Sequence, residues 1–306
     1  MISLRDLTVR YGDTVAVDGI TLDLEPGKIY GLLGRNGSGK TSLLSVLAAY
    51  RRASAGTVTV DGIDPFENRA FMRDTAFIRD VLDVTDTDRV GKVLDFAGRL
   101  RPTWDGGYAE RLIDVFGLDR RRRVSALSRG QRSSLGVVLG LAARAPLTIL
   151  DEVYLGMDAG ARTTFYRELL ADYLAHPRTI ILSTHLIEEV AGLFEQVIVI
   201  DRGRLLVHED TDSFRARGTA VTGPVAAVEA FVAGRTVLSE QNLGGVRQAT
   251  LYGALDDDET VRAGAAGLSL APVGVQDLFV HLTSGAVKGA GSSGAADGTG
   301  RTEALR

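Results

Sequence analysis

The sequence predicts an α/β protein with a mainly parallel core sheet, and three observations favour it. Short, nearly continuous apolar runs have the length of strands covered on both faces; they span 29–33, 147–150, 179–183 and 197–200. Helical stretches over 161–175 and 186–194 separate the later runs, and such alternation favours a parallel sheet. A glycine-rich loop joins the first run to a helix. With 45% hydrophobic and 24% charged residues, the chain has a globular protein's composition.

At the N-terminal end, the pattern predicts antiparallel strands before the first buried run. Ile20, Leu22 and Leu24 alternate with polar residues, as in a half-buried strand. The segment Tyr11-Gly12-Asp13 is typical of a hairpin turn. The helix that begins at Lys40 is supported by apolar residues at helical spacing: Leu43, Val46, Leu47 and Tyr50.

The first 215 residues are predicted to form one domain, which ends with a hairpin turn at 201–204 and a strand over 205–207. Residues 216–284 are predicted to be a small α+β accessory domain. Its strands are expected at 219–222, 235–240, 246–252 and 268–271, and its helices at 224–233, 258–266 and 275–283. The first six elements follow the β-α-β-β-α-β order of a ferredoxin-like unit. Residues 285–306, rich in Gly, Ala and Ser, are predicted to be a disordered tail.

Composition excludes several classes of function. The chain has no cysteine, which excludes disulfides, thiol nucleophiles and Cys-ligated metals. Its net charge of −4 provides no overall basic field that would hold nucleic acid, so we expect no nucleic-acid partner. No apolar run reaches the ~18 residues of a membrane span. The first twelve residues lack the apolar core of a signal peptide, so any membrane role is expected to come through a partner chain.

A phosphate-binding loop follows the first buried run. The motif G-x-x-x-x-G-K-[ST] is matched by Gly34, Arg35, Asn36, Gly37, Ser38, Gly39, Lys40 and Thr41, and Ser42 follows it. Glycines let successive backbone N–H groups point at one phosphate, and the helix N-terminus adds partial positive charge. Lys40 is expected on the β- and γ-phosphates, with the Thr41 hydroxyl on Mg²⁺. We therefore expect ATP and Mg²⁺ as cofactors.

Two acidic residues directly follow the buried run at 147–150. Because carboxyl ends of parallel strands face the ligand crevice, Asp151 and Glu152 are expected beside the phosphate-binding loop. Asp151 would complete the Mg²⁺ site, and Glu152 would activate the water that attacks the γ-phosphate.

A second anion site is expected 24 residues before Asp151. The stretch consists of Leu127, Ser128, Arg129, Gly130 and Gln131, and it opens a helix. A serine, a glycine and backbone amides at a helix start favour an anion. Because one chain already has a phosphate-binding loop, this second site suggests that nucleotide is shared between two chains.

This ordered set of motifs resembles the ATP-binding cassette (ABC) ATPases, the nucleotide-binding subunits of membrane transporters, over about residues 1–215. The resemblance implies a parallel core sheet with an N-terminal antiparallel β subdomain and a helical subdomain. It implies a homodimer, or a heterodimer with a second cassette, that sandwiches two ATP molecules. It also implies a separate membrane permease as partner, at the cytoplasmic face of the cell membrane.

The resemblance also implies roles for individual residues. Leu127–Gln131 matches the family's Leu-Ser-x-Gly-Gln signature, whose Ser128 and Gly130 would reach the γ-phosphate held by Lys40 of the other chain. Glu152 would be the catalytic glutamate, and His185 the switch histidine at the γ-phosphate. Tyr11 would be the aromatic residue that stacks on adenine, and residues 155–158 would form the loop that crosses the dimer interface.

Two departures from the family pattern stand out. Asp80 occupies the place of a glutamine that touches Mg²⁺ and couples to the permease. A carboxylate can bind this metal through a water molecule, and an acid at this place resembles export-type cassettes. The alternative is that Asp80 is only a surface acid. Val153-Tyr154 replaces the usual Pro-Thr or Pro-Ser after the two acids. The four basic residues 120–123 are either a solvated face or a contact for an acidic partner loop.

The favoured interpretation is an ATPase subunit that powers a permease, with export favoured by Asp80 and the C-terminal extension. The alternative is a soluble ABC ATPase that acts on nucleic acid or ribosomes. Such proteins usually carry two cassettes or a long inserted coiled coil, whereas this chain has one copy of each motif. A P-loop kinase would not need the signature at 127–131.

Overall fold

The computed structural model describes residues 1–284, so the predicted disordered tail at 285–306 lies outside the described residues. The strands are β1 (Ile2–Tyr11), β2 (Thr14–Leu24), β3 (Ile29–Leu33), β4 (Ala55–Val60), β5 (Thr75–Arg79), β6 (Leu147–Asp151), β7 (Thr179–Thr184), β8 (Gln196–Asp201), β9 (Arg204–Asp210), β10 (Gly218–Pro224), β11 (Val237–Leu243), β12 (Val246–Tyr252) and β13 (Ser269–Pro272).

The helices of the described residues are α1 (Lys40–Leu47), α2 (Arg69–Arg73), α3 (Val90–Leu100), α4 (Gly106–Val115), α5 (Arg129–Ala142), α6 (Ala159–Ala175), α7 (Ile187–Val190), α8 (Thr211–Arg215), α9 (Val225–Val232), α10 (Asp257–Ala265) and α11 (Val275–Thr283). A short 3-10 helix, Val124–Ala126, precedes α5. Within residues 1–284, no helix is long and apolar enough to cross a membrane.

The N-terminal sheet is antiparallel, with the order β2-β1-β4. The predicted alternation in β2 is confirmed: Ile20, Leu22 and Leu24 are buried, whereas Thr21 and Asp23 are exposed. The buried face packs, with the apolar side of α1, against one face of the central sheet.

The central sheet has the order β5-β6-β7-β3-β8-β9, so the prediction of a mainly parallel core is confirmed. Only β9 runs antiparallel in it, after a turn in which Arg202 and Gly203 adopt φ values of 47° and 80°. Because β6, β7 and β3 are adjacent and parallel, their carboxyl ends lie side by side at one sheet edge. Asp151 is the last residue of β6, His185 follows β7, and the phosphate-binding loop follows β3.

Two predicted helices are shorter in the structure. Helix α1 ends at Leu47 because Ala49 adopts φ 58°, so Tyr50 lies beyond the helix and is exposed. The helix predicted over 186–194 is only α7, because the Leu193 N–H bonds to the Val190 carbonyl and the chain turns towards β8. Helices α3, α4 and α5 pack together as the helical subdomain that the resemblance implies.

The C-terminal strands form a separate antiparallel sheet with the order β11-β12-β10-β13. With α9 and α10, they confirm the predicted β-α-β-β-α-β order, in which β12 is inserted between β10 and β11. Helix α11 packs back against α7 and α8. Its Leu278 and Phe279 belong to the same apolar core as the cassette helices. The predicted domains at 1–215 and 216–284 therefore share one core.

Candidate functional site

The phosphate-binding loop leaves β3 and enters α1 without a side-chain cap. Gly39 is the N-cap residue and has φ 105°, and Gly37 has φ 77°. Residues with a side chain rarely adopt such left-handed backbone angles, which explains the need for glycine at these two positions. Because no side chain caps α1, the N–H groups of its first turn remain available to an anion.

The loop is held in place by its neighbours. A side chain on Gly39 would overlap the Ala16 carbonyl, and the Gly203 N–H donates to the Ser38 carbonyl at 2.9 Å. The Ser38 hydroxyl is buried and has no hydrogen-bond partner among the described residues. Arg35 and Asn36 lie exposed at the tip of the loop. The loop is therefore preformed around an unsatisfied donor, as a phosphate site requires.

Lys40 points back into this loop. Its side chain is only 6% exposed, and its Nζ donates to the Gly34 carbonyl at 2.8 Å and lies 3.4 Å from the Arg35 carbonyl. Its third neighbour is Oε1 of Glu152, at 3.2 Å. Phosphate oxygens that enter the loop would therefore meet this buried ammonium and compete with its present acceptors.

Asp151, at the end of β6, is held by two hydroxyl groups. Thr41 Oγ1 donates to Oδ2 at 2.7 Å, and Ser183 Oγ donates to Oδ1 at 2.7 Å. Burial raises the pKa of Asp151, against the lowering effect of these two hydrogen bonds. A nearby cation would relieve this unfavourable burial. The Thr41 hydroxyl and the Asp151 carboxylate are hard oxygen donors of the kind that Mg²⁺ prefers.

Glu152 adopts φ 50°, a left-handed conformation that is rare for a residue with a side chain. Such a conformation costs about 1–3 kcal/mol and persists where the surroundings impose it. Here it directs the carboxylate between Lys40 and His185, whose Nδ1 lies 3.4 Å from Oε1. The structure thus brings Lys40, Glu152 and His185 together at the mouth of the phosphate-binding loop.

Sequence reasoning missed the contribution of Tyr154, although it noted that the segment departs from the family pattern. Tyr154 is 1% exposed. Its hydroxyl lies 3.1 Å from His185 Nδ1 and also contacts the Thr184 hydroxyl and the His185 backbone N–H. The signal available in the sequence was a large phenol beside two acids, where a small residue was expected.

Tyr11, the predicted adenine platform, is 48% exposed at the end of β1. The Arg51 guanidinium covers one ring face, 3.8 Å from the ring centroid. Arg51 is held there by its hydrogen bond to the Arg10 carbonyl, at 2.6 Å, and Ser42 Oγ donates to the Tyr11 hydroxyl at 3.4 Å. One face of the ring is therefore occupied, and the other remains open for a stacked base.

The signature stretch opens α5 as predicted. Ser128 is the N-cap: its hydroxyl accepts from the Gln131 N–H at 3.2 Å, and Gln131 Oε1 accepts from the Ser128 N–H at 3.1 Å. Leu127 is buried, whereas Ser128 and Arg129 are exposed. A side chain on Gly130 would lie 2.7 Å from the Gly156 carbonyl oxygen. Among the described residues, no hydrogen bond or ion pair joins 127–131 to the phosphate-binding loop.

Asp80 directly follows Arg79, the β5 residue that is the register partner of Asp151 in the central sheet. Among the described residues, the Asp80 carboxylate makes no hydrogen bond with Thr41 or Asp151. It lines a cavity of about 400 Å³ with Asp86, Arg129 and Arg132. Asp80 therefore lies beside the start of α5, and its contact with the metal stays a prediction. In the basic run, Arg120 pairs with Asp95 and Glu110, whereas Arg121 and Arg123 are exposed.

Comparisons with known proteins agree with this arrangement. The ABC transporter family model matches residues 17–154. The chain is 34% identical over 224 residues to the Nod factor export ATP-binding protein I of Cupriavidus metallidurans, covering 70% of this chain and 73% of that protein. It is 32% identical over 219 residues to the methionine import ATP-binding protein MetN of Mesorhizobium japonicum, covering 67% of this chain and 59% of that protein.

A solved dimeric ATP-binding cassette in a post-hydrolysis state, bound to ADP and Pi, has the same fold. It superposes with a TM-score of 0.60 at 18% identity, over 69% of this chain and 99% of that one. The fold, the geometry of the phosphate-binding loop and the sequence identities agree, and the chain belongs to the family of ABC transporter ATP-binding proteins, which are ATPases.

Proposed function

We propose that two copies of this chain, or one copy and a second cassette, bind ATP and Mg²⁺ between them and hydrolyse the ATP to drive a separate membrane permease. One observation carries the proposal: at the phosphate-binding loop, the carboxylate of Glu152 contacts both the ammonium of Lys40, at 3.2 Å, and the imidazole of His185, at 3.4 Å. Together they supply a phosphate-binding cation, a proton acceptor and a group able to bind the γ-phosphate.

Each group has a distinct task in the proposed reaction. Backbone N–H groups of the loop and Lys40 hold the β- and γ-phosphates. Glu152 accepts a proton from the water whose oxygen forms a bond to the γ-phosphorus, while the bond from that phosphorus to ADP breaks. His185 donates to a γ-phosphate oxygen, and Tyr11 stacks on adenine through its open face.

The Mg²⁺ site is proposed at Thr41 and Asp151, whose oxygens already face each other. Mg²⁺ held there would neutralise charge on the β- and γ-phosphates. Asp151 contributes a carboxylate whose burial disfavours ionisation when no cation is near. Thr41 contributes a hydroxyl on the first turn of α1, next to Lys40.

The second half of the site is proposed to come from the other chain. Ser128 and the backbone at Gly130 form an exposed helix start that makes no contact with this chain's own phosphate-binding loop, within residues 1–284. A helix N-terminus favours an anion, so it is suited to a γ-phosphate presented by a second chain. ATP would then join the two chains.

The permease partner, the location at the cytoplasmic face of the membrane and the direction of transport are part of the proposal. Export is favoured by the acid at position 80 and by the C-terminal extension. The relatives include a protein named for export and one named for import at similar identity, so direction needs a measurement of its own.

The test is to express the tagged chain with a candidate membrane permease and to isolate membranes. We expect the chain to sediment with membranes only when the permease is present, and ATP hydrolysis to change when permease and substrate are added. Substrate that accumulates in inside-out vesicles on addition of ATP would support export. A chain that sediments with ribosomes, with or without the permease, would contradict the proposal.

A further inference from the structure

We propose that Tyr154 is a positioning residue for His185: its hydroxyl donates to Nδ1 and so keeps the neutral imidazole in the tautomer with its proton on Nε2. This inference rests on the proposed function, because it is the proposed contact of His185 with the γ-phosphate that needs a donor at Nε2. The tautomer itself can be measured without nucleotide, and its test therefore does not depend on hydrolysis.

The hydroxyl of Tyr154 is surrounded by polar groups although its ring is buried. The Thr184 hydroxyl donates to it at 2.9 Å, and the His185 backbone N–H donates to it at 3.0 Å. The Thr184 oxygen in turn accepts the Leu186 N–H at 2.9 Å. The third neighbour of the phenol oxygen is Nδ1 of His185, at 3.1 Å.

Counting protons decides the direction of that last contact. A phenol has one proton and two lone pairs. The His185 backbone N–H can only donate, so it takes one lone pair. Thr184 already accepts the Leu186 N–H, which favours its hydroxyl as the donor to the second lone pair. In this arrangement the phenol proton is left for His185 Nδ1, which is then the unprotonated nitrogen. A neutral imidazole carries a single ring proton, so that proton lies on Nε2.

Glu152 offers the competing arrangement. Its Oε1 lies 3.4 Å from the same Nδ1, so an imidazole with its proton on Nδ1 would donate to the candidate base instead. That arrangement would engage the carboxylate that has to accept a proton from water, and it would leave Nε2 without a proton to donate to phosphate. By occupying Nδ1, Tyr154 prevents both effects.

The test compares Tyr154→Phe with the wild type by NMR of histidine-labelled protein at a pH where His185 is neutral. The chain has four histidines, so a His185→Gln spectrum identifies the signals of His185. We expect the Nε2–H tautomer in the wild type and a shift towards Nδ1–H, facing Glu152, in Tyr154→Phe. Removal of one hydrogen bond should lower kcat about 10-fold and change the affinity for ATP by less than about 2-fold.

Tyr30→Phe is the matched control. Tyr30 is fully buried, and its hydroxyl donates to the Glu25 carbonyl at 3.0 Å, at the opposite end of β3 from the phosphate-binding loop. It should lose similar stability and leave both the His185 tautomer and kcat unchanged. If Tyr154→Phe does not fold, the wild-type spectrum still tests the tautomer.

Three results would overturn the inference: an Nδ1–H tautomer in the wild type, an unchanged tautomer in folded Tyr154→Phe, or a shifted tautomer with an unchanged kcat. Failure of the proposed function looks different. Hydrolysis that does not depend on Glu152 would overturn the assigned catalytic roles while the spectrum still showed Tyr154 bound to His185.

Discussion

The Nζ atom of Lys40 lies 3.2 Å from Oε1 of Glu152, so the loop cation and the candidate base form an ion pair. Both groups are largely buried, with side-chain exposures of 6% and 19%. Phosphates that enter the loop compete for the same ammonium, which has only three N–H groups. Binding of ATP should therefore free the Glu152 carboxylate at the moment when it is needed for water.

The first prediction is that Glu152→Gln binds ATP but does not turn it over. The amide keeps the shape of the side chain and removes the proton acceptor, which typically costs ~10²–10⁴-fold in rate. Affinity for ATP should be retained or rise, because Lys40 no longer has to give up an ion pair with Glu152 in order to bind phosphate. Steady-state hydrolysis and calorimetry measure the two effects, and sizing should show an ATP-bound dimer.

Glu188→Gln is the control for that change. Glu188 is exposed on α7, three residues beyond His185, and its substitution should leave kcat within about 2-fold, as for most surface positions. Wild-type turnover by Glu152→Gln would mean that another group accepts the proton.

The second prediction is that Asp151→Asn makes the nucleotide-free chain more stable and inactive. Burial raises the pKa of Asp151, so the folded chain disfavours the ionised form. The free energy of unfolding therefore begins to fall as the pH rises past the usual Asp pKa, about 3.9. The whole loss of stability is reached above the raised pKa of the folded chain. Asparagine avoids this loss and can still hydrogen-bond Thr41 and Ser183. We expect the free energy of unfolding at pH 7 to rise by about 1 kcal/mol.

Urea unfolding at several pH values checks this. The stability gained by Asp151→Asn should shrink as the pH falls and Asp151 becomes protonated. Asp212→Asn, at an almost fully exposed carboxylate, should change stability by less than about 0.5 kcal/mol at any pH. A less stable Asp151→Asn chain at pH 7 would show that the two hydroxyl hydrogen bonds outweigh burial.

The central sheet and the C-terminal unit were predictable because their patterns are local. Buried strands appear as apolar runs, and the order of elements after residue 215 follows from turns and periodicity. The end of α1 was harder, because Ala49 adopts a left-handed conformation with no glycine to signal it. The shared core that joins α11 to the cassette is a long-range contact, and periodicity does not show which face meets which.

In the site, the motif residues were predictable, but the side-chain network between them was not. Lys40, Asp151 and Glu152 each lie at or just after the carboxyl end of a predicted buried strand. Because the carboxyl ends of parallel strands lie at the same side of the sheet, these residues are expected to lie close together. Their positions in the sequence do not indicate that Glu152 adopts φ 50° or that Tyr154 turns inward to His185. Those details depend on packing between β6 and β7, which no local pattern records.

The third prediction concerns the open face of Tyr11. Because Arg51 covers the other face at 3.8 Å, Tyr11→Ala should lose stacking on adenine, worth ~1–3 kcal/mol for an aromatic residue on a base. Affinity for ATP should fall correspondingly, and affinity for inorganic triphosphate should not change. Tyr11→Phe keeps the ring and should bind ATP nearly as the wild type does. Equal loss for both ligands in Tyr11→Ala would indicate damage to the loop rather than lost stacking.

The fourth prediction tests whether nucleotide is shared between chains. A charge at Gly130 is a poor probe, because any side chain there meets the Gly156 carbonyl. Ser128 is better: aspartate and asparagine both serve as helix N-caps, so either keeps the start of α5. Only Ser128→Asp adds a negative charge where the γ-phosphate of the other chain is expected.

Ser128→Asp should bind ATP at its own Lys40, remain monomeric and lose hydrolysis by on the order of 10²-fold or more, since opposed like charges cost several kcal/mol. Ser128→Asn should stay within a few-fold of the wild type. Mixing Ser128→Asp with Lys40→Ala chains provides the sharper measurement, because the mixed dimer has one composite site with both halves intact. Activity in the mixture that neither variant shows alone is the expected result. Wild-type hydrolysis by monomeric Ser128→Asp would mean that the signature acts within its own chain or not at all.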